Sequence, residues 1–516
     1  MTTTHASPEP DSDDLTALGY RPQLKRSLGS FASFAAGFSF VSILTTIFQL
    51  FGLGFSFGGP AFFWTWPVVY AGQLLVALCF AELAARYPIS GAIYQWSRRL
   101  GGEVLGWFGG WFMILAQIVT ASAAAIALQV VLPTVWSGFQ IIGDDPSLTS
   151  SSGAANAVLL GSVLLVLTTG INCIGVHWMG RINAIGVTCE IVGVIAVIGA
   201  LAAHARRGPQ VVLDTGQAGA AATGSLGYLS AFIVSGLMAA YVMVGFGSAG
   251  ELAEETRNPR RVAPRTIRLA LTVSAVGGGL MLLTALMAAP SLGDELATGG
   301  LPYVLSSVLG SFWGKVLLVD VAVAIFVCTL AIQTACSRLI FSMARDRRLP
   351  FSTQLAYVSR TGTPMLPSIV IGLACIAVLG VNVGNPAIFA TLASVCIVLI
   401  YLAYLSVTGP MLVARIHGTW PKKDDARDAE GREVFTLGRW GLAVNVGAVL
   451  FGAFMVINLA WPRPEIYDPA GTSTLLQWAG PLIVVAAVVG GALCFPRRRP
   501  HPVPVLVPGR TVPEGL

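Results

Sequence analysis

Apolar residues fall along this chain in twelve blocks, each near the roughly 20-residue length that a helix needs to cross a bilayer. The blocks cover about 31–56, 64–84, 107–132, 154–176, 182–203, 226–248, 267–289, 316–341, 366–383, 387–414, 440–461 and 474–495. They predict an all-α integral membrane protein with about twelve transmembrane helices. Polar breaks between them are short. The longest, His417 to Arg439, carries mixed charge and reads as a loop between spans ten and eleven. A second, Arg206 to Ser225, is rich in Gly and Ala and reads as a loop on the other side. Residues 1–20 read as a disordered tail, and the stretch after Pro496 is too polar and Pro-broken to form another span.

Composition agrees with that pattern. Of 516 residues, 55% are hydrophobic and 11% charged, and the mean hydropathy is +0.74. Soluble domains carry about 25% charged residues, so most of this exterior must face lipid. The N-terminus is polar and acidic, and the first apolar run is too long for a cleavable signal peptide. The eight cysteines all lie inside apolar blocks and read as small buried hydrophobes, not a disulfide framework. A net charge of +6 raises nucleic-acid binding, but its distribution argues against it. With the N-terminus inside, 27 of the 31 Lys and Arg residues fall on cytoplasmic segments, leaving Arg206, Arg207, Lys315 and Arg463 outside. That is the positive-inside bias. It predicts both termini in the cytoplasm and a multi-pass protein of the cytoplasmic (inner) membrane.

Spans one and six hold an unusual density of small residues. Span one carries Gly37, Ser39, Ser42, Thr45, Thr46, Gly52 and Gly54; span six carries Ser235, Gly236, Gly245, Gly247, Ser248 and Gly250. Glycine costs about 1 kcal/mol against Ala in a helix interior, so both helices are candidates for a break. Interrupted helices at matching positions in two halves point to a transporter with inverted repeats. Their freed N–H and C=O groups can hold the charged ends of a small zwitterion. Small residues also serve close helix packing, and composition alone leaves both readings open.

Three segments tip that balance, because they resemble the amino acid–polyamine–organocation superfamily, and within it the bacterial and fungal amino acid, GABA and choline permeases. The first is Glu82-Leu-Ala-Ala-Arg-Tyr-Pro-Ile-Ser-Gly-Ala-Ile-Tyr94-Gln-Trp96, where span two ends. The second runs from Tyr241-Val-Met-Val-Gly-Phe-Gly-Ser-Ala-Gly-Glu251 to Pro264, out of span six. The third, Ser337-Arg-Leu-Ile-Phe-Ser-Met-Ala-Arg345-Asp-Arg-Arg-Leu-Pro350, closes span eight. The resemblance implies a five-plus-five inverted repeat with broken helices one and six. Its parts are a cytoplasmic tail (1–30), a first repeat (31–203), a second repeat (226–414), a cytoplasmic loop (415–439), two further helices (440–495) and a cytoplasmic tail (496–516). It also implies a substrate site between the two breaks. In span one the break matches Leu44, Thr45 and Thr46, with Thr46 where many relatives have Gly. In span six it matches Gly245, Phe246, Gly247 and Ser248, with Tyr241 one turn earlier as an aromatic gate. Gly247 departs from the pattern, since many relatives carry Asp or Glu there; a wider, less charge-selective pocket is expected.

Other polar groups carry their own chemistry. Glu190 lies mid-span, where an ionised carboxylate costs on the order of 3 kcal/mol. It reads as a proton-coupling site or a ligand for a substrate amine, against a structural hydrogen bond between helices. By the resemblance it occupies a position where some relatives carry a lysine in place of a coupling cation. Glu82 reads as a partner for loop arginines with a gating or folding role. Glu251, Glu254 and Glu255 read as a salt-bridged latch, or as a solvated loop. Gln117 and Gln333 face either the site or a neighbouring helix.

The expected function is alternating-access import of an amino acid or GABA-like amine, coupled to protons, with no cofactor and no metal. Exchange, or choline or polyamine transport, is the alternative. Gly54-Phe-Ser-Phe-Gly58 matches a hydrolase motif but lies at the end of a membrane helix, without the strand–turn–helix that the motif needs. No phosphate loop occurs. A receptor or a channel is the remaining alternative class; the first lacks a signalling domain, and broken helices favour a carrier over the second.

Overall fold

A computed structural model describes residues 15–16, 18–148, 150–221, 227–360, 362–383, 388–421, 427, 431–463 and 477–496. The C-terminal arginines Arg497, Arg498, Arg499 and Arg510, loop residues Lys422 and Lys423, and the Cys396 side chain lie outside those described.

The described residues form helices and short turns, because in lipid only an internally bonded backbone is affordable for a span. Ten helices are long and apolar enough to cross a membrane, and two shorter apolar helices, Tyr228–Val242 and Ala479–Cys494, accompany them. The twelve blocks therefore map onto twelve helical spans. Two are much longer than their apolar blocks. Span three runs Ala92–Val135 with a kink at Gly102, and span eight runs Asp294–Arg345 with kinks at Gly300 and Gly310. In each, a stretch of more polar helix precedes the apolar part, which hydropathy alone does not register.

Spans one and six are the broken pair. Span 1a (Ser30–Val41) and span 1b (Ile43–Gly58) meet at Ser42, and span 6a (Tyr228–Val242) and span 6b (Ser248–Glu251) are separated by five residues. Span 1b packs on spans 6a and 8, and span 1a on spans five, seven and eight, so the two breaks sit inside the bundle. Around them, span three packs on spans eight and ten, and span two on span seven, where Trp66 Nε1 donates to Ala275 O at 2.7 Å. Spans four, five, eleven and twelve turn apolar side chains outward, among them Val166, Ile195, Leu450 and Val485.

Three expectations need correction. Residues 15–16 and 18–28 are not a free tail. Tyr20 Oη lies 3.0 Å from Asp346 Oδ1, Arg99 donates to Leu18 O, and Leu28 pairs with Thr256 in a parallel bridge. The chain is tied down here because Asp346 and the end of span six offer partners that a linear reading does not bring together. The stretch read as a loop from Arg206 holds, among its described residues, two short helical turns, Pro209–Leu213 and Gly216–Ala221. The Arg206 and Arg207 amides donate to Met287 O at 2.8 and 3.1 Å, and Trp64 Nε1 donates to Val212 O. Cysteines divide, with Cys79, Cys328, Cys336 and Cys375 buried but Cys189 and Cys494 exposed on outward faces.

Candidate functional site

The break in span one falls at Ser42, which adopts left-handed backbone (φ 33°, ψ 87°), two residues before the predicted Leu44–Thr46. Leu44, Thr45 and Thr46 instead form the first turn of span 1b. Three amides at such a start have no intrahelical partner and carry the positive end of the helix dipole. Glu190 caps it from span five. Ser42 Oγ lies 2.9 Å from Glu190 Oε1, and the Leu44 amide donates to the same oxygen at 3.4 Å. Thr45 Oγ1 is 2.7 Å from Ser42 Oγ. Ser42 Oγ is the donor in both contacts, so its single proton serves Glu190 Oε1 or Thr45 Oγ1, one at a time. Thr46 Oγ1 donates back to Ser42 O at 2.8 Å, alongside the Thr46 amide, which donates to the same carbonyl at 3.0 Å. Glu190 is fully buried, and its Oε2 has no partner among the described residues.

The break in span six is Met243–Gly247. Gly245 has φ +85°, and a Cβ there would lie 1.8 Å from the Phe40 ring of span 1a, so glycine is required both by backbone and by space. Its freed amide donates to Tyr404 Oη at 3.0 Å, an aromatic hydroxyl from span ten. Phe246 packs with Tyr404 and with Phe80 of span two, at 5.5 and 6.0 Å between ring centroids. Phe80 in turn meets Tyr404 at 5.0 Å and Trp96 at 5.3 Å. Gly247 is helical, and a Cβ on it would come to 3.3 Å from the Phe80 ring. Ser248 opens span 6b with a buried hydroxyl that has no partner among the described residues. Tyr241 is buried one turn before the break. Gln117 in span three is fully buried with neither amide atom bonded, whereas Gln333 donates to Thr169 Oγ1 at 3.2 Å.

At the end of the bundle where the chain enters, the chemistry is different. Glu82 is fully buried and receives Arg415, the Trp420 indole at 3.1 Å, Thr436 Oγ1 at 3.0 Å and the Leu437 amide at 2.9 Å. Thus Trp420, Thr436 and Leu437, from the two ends of that polar stretch, meet span two. Glu254 takes a two-bond fork from Arg345 at 2.8 and 3.0 Å, and Glu255 takes one from Arg338 at 3.1 and 3.3 Å. Both arginines come from span eight and not from the basic run that follows the acids. Glu251 is fully buried, with neither carboxylate oxygen hydrogen-bonded among the described residues. Asp346 gathers Arg98 at 2.6 Å, Tyr94 at 2.9 Å, Gln95 at 3.1 Å and Tyr20, and Arg345 lies 4.1 Å over the Tyr20 ring. These contacts tie spans two, three, eight and ten and the end of span six together.

Sequence reasoning did not single out Ser42, Phe80, Tyr404, Asp320 or Asp346. Asp320 had a signal, since it is an acid inside the eighth apolar block. Tyr404 had none, because its role depends on meeting Gly245 from 159 residues away. Among the described residues, no group of three His, Cys, Asp or Glu could hold a metal ion.

A family model for amino acid permeases matches residues 28–488, and the chain belongs to that family. An amino-acid permease BAT1 homolog of Oryza sativa subsp. japonica is 26% identical over 475 residues, covering 87% of each chain. Amino-acid permease BAT1 of Arabidopsis thaliana is 27% identical over 489 residues, covering 89% of this chain and 90% of its own. Thiamine transporter thi9 of Schizosaccharomyces pombe is 28% identical over 397 residues, covering 69% of this chain and 66% of its own. The protein is a multi-pass membrane permease and not an enzyme.

Proposed function

We propose that this permease imports an amino acid or a GABA-like amine across the cytoplasmic membrane, coupled to protons, by alternating access, with both termini cytoplasmic. The observation that carries the coupling is the hydrogen bonding of Glu190 Oε1 to Ser42 and Leu44 at the break in span one. An ionised Glu190 holds this half-helix start through charge-assisted bonds. A proton on Glu190 weakens that hold and frees the amides for a substrate carboxylate. Leu44, Thr45 and Thr46 at one break and Gly245, Phe246, Gly247 and Ser248 at the other are the proposed substrate contacts. Tyr241 covers them, and Glu82 belongs to the gate at the cytoplasmic end. Names of the plant relatives support the substrate class. The positive-inside count supports the orientation.

A second reading, transport of choline, a polyamine or another organic cation, has its own support. Four aromatic rings, Phe80, Trp96, Phe246 and Tyr404, gather beside the break, and ring faces attract cations. One relative is named a thiamine transporter.

The test is uptake of radiolabelled GABA, amino acids, choline and putrescine into proteoliposomes, with and without an inward proton gradient. Gradient-dependent accumulation is expected, and Glu190→Gln removes it. Accumulation that survives Glu190→Gln takes coupling away from this residue. Flux seen only against preloaded substrate makes the protein an exchanger. Tyr241→Ala is expected to raise the apparent KM about tenfold, the loss of one aromatic contact of about 1.4 kcal/mol. An unchanged KM and turnover puts the gate elsewhere.

A further inference from the structure

Glu190 is not the only carboxyl inside the bundle that lacks a full set of partners. Asp320, on span eight, has a buried Oδ2 with no hydrogen bond among the described residues. That oxygen rests directly on span five at Gly193; a Cβ on Gly193 would overlap it at 1.6 Å. Only a glycine lets this carboxyl reach the helix. Gly193 is three residues beyond Glu190, which places it about 4.5 Å further along the helix axis by the rise per residue. The Leu44 side chain approaches the same spot, within 3.4 Å of that Cβ position. So the unbonded Oδ2 of Asp320 meets span five three residues beyond Glu190, whose own Oε2 is unbonded, and Leu44 at the start of span 1b reaches the same spot.

Two buried carboxylate oxygens without donors are costly unless protons reach them. Among the described residues, no ion pair to Glu190 or Asp320 is present. Spans one and seven contribute no ionisable side chain at this depth, Cys189 on span five faces outward, and Lys315 on span eight is exposed. Cys328 is buried, with its Sγ 3.8 Å from Phe40 O. Asp320 differs from Glu190 in being only partly buried. It lies on the side of Glu190 away from the ion pairs of Glu82, Glu254 and Glu255.

We propose that Asp320 and Glu190 form a two-carboxyl proton relay, in which Asp320 is the loading acid for entry from the side opposite the ion-paired end. Asp320 takes a proton from that side and gives it to Glu190 Oε2. Asp320 is left ionised and reloads; Glu190 is left neutral, and its bonds from Ser42 and Leu44 weaken until it releases the proton toward the cytoplasm. This rests on the proton-coupled reading of Glu190, and it makes Asp320 a positioning and proton-loading residue, not a substrate contact.

The experiment uses full-length protein in liposomes, with two readouts. The first is uptake of a uniformly labelled amino-acid mixture containing GABA, driven by a proton gradient at several external pH values. Asp320→Asn is expected to displace the pH profile of uptake by about one unit, the scale on which a neighbouring carboxylate acts. Asp320→Glu, which keeps a titratable group, is expected to restore it. A wild-type profile in Asp320→Asn overturns the relay while leaving Glu190 coupling intact. Accumulation in Glu190→Gln overturns the coupling reading and the relay together. The second readout needs no substrate: infrared bands of protonated carboxyls, followed through a pH titration. Two bands are expected in the wild type, and in Glu190→Gln the remaining Asp320 band shifts its midpoint. An unmoved midpoint overturns the relay even if Asp320→Asn folds poorly.

Discussion

Glu82 and Glu190 are both fully buried carboxylates, and they are served in opposite ways. Glu82 has a guanidinium, an indole, a hydroxyl and a backbone amide on its two oxygens. Glu190 has one hydroxyl and one amide on a single oxygen and nothing on the other. The contrast extends to their surroundings. At the entry end, Glu254, Glu255 and Asp346 each meet an arginine from a different element. In the middle, Gln117, Ser248 and Asp320 each keep a buried atom unbonded. A saturated network rigidifies; an unsaturated one leaves free energy to be recovered by a ligand or a proton. At the entry end four acids are thus held by arginines in a lock of ion pairs, although Glu251 and the Nε atoms of Arg345 and Arg415 stay unbonded among the described residues. Glu190 in the middle, by contrast, has no cation beside it among those residues.

The largest effect should come from breaking the lock. Arg338 and Glu255 are both fully buried, so Arg338→Ala strands an ionised carboxylate and should destabilise the protein by about 3–5 kcal/mol. A thermal melt in detergent reads this directly. Arg338→Met combined with Glu255→Met should recover most of the loss, because a well-packed apolar pair costs little where a lone charge costs much. If the single substitution melts like the wild type, the ion pairs of the entry end do not lock it.

A smaller effect is expected at the centre. Tyr404→Phe removes the acceptor for the Gly245 amide and leaves a buried donor unpaired, at a cost of about 1–3 kcal/mol. Here the ring is retained against Phe80 and Phe246, so only the hydrogen bond is tested. Because this amide belongs to the break in span six, loss of stability should come with a raised KM for transported substrate. A stability loss without any change in transport would mean that Tyr404 only braces the helix.

How much of this was legible beforehand follows from what each feature depends on. Twelve spans could be read because lipid requires long apolar helices, and that requirement is local in sequence. The breaks in spans one and six were legible from clustered Gly, Ser and Thr residues. The position of the first break was not, since Ser42 is a non-glycine residue held in left-handed backbone by contacts with Glu190 and Thr45. Tyr404 and the partners of Glu254 and Glu255 were hidden for a different reason. Each is specified by which helices are neighbours, and hydropathy carries no record of that. The first turns of spans three and eight also escaped notice, because they lie outside the apolar blocks.

The smallest effect tests whether the N-terminal segment belongs to the lock. Tyr20 lies outside the spans, with its hydroxyl on Asp346 and its ring under Arg345. Burial, and then the Asp346 carboxylate, push its phenol above the ordinary value of 10.0. A raised value means that the folded protein holds this proton more tightly than the unfolded chain does. The stabilisation is therefore complete below pH 10 and is lost as pH rises through the folded value. Tyr20→Phe should cost about 1 kcal/mol near neutrality, the worth of one hydrogen bond to a charged acceptor less the packing that Phe retains. The gap between wild type and variant should stay constant to about pH 10 and then close. Melting temperatures of both proteins from neutral to strongly alkaline pH measure that gap. A gap absent at every pH would detach the tail from the lock, and a gap that never closes would mean that the phenol proton does not carry it.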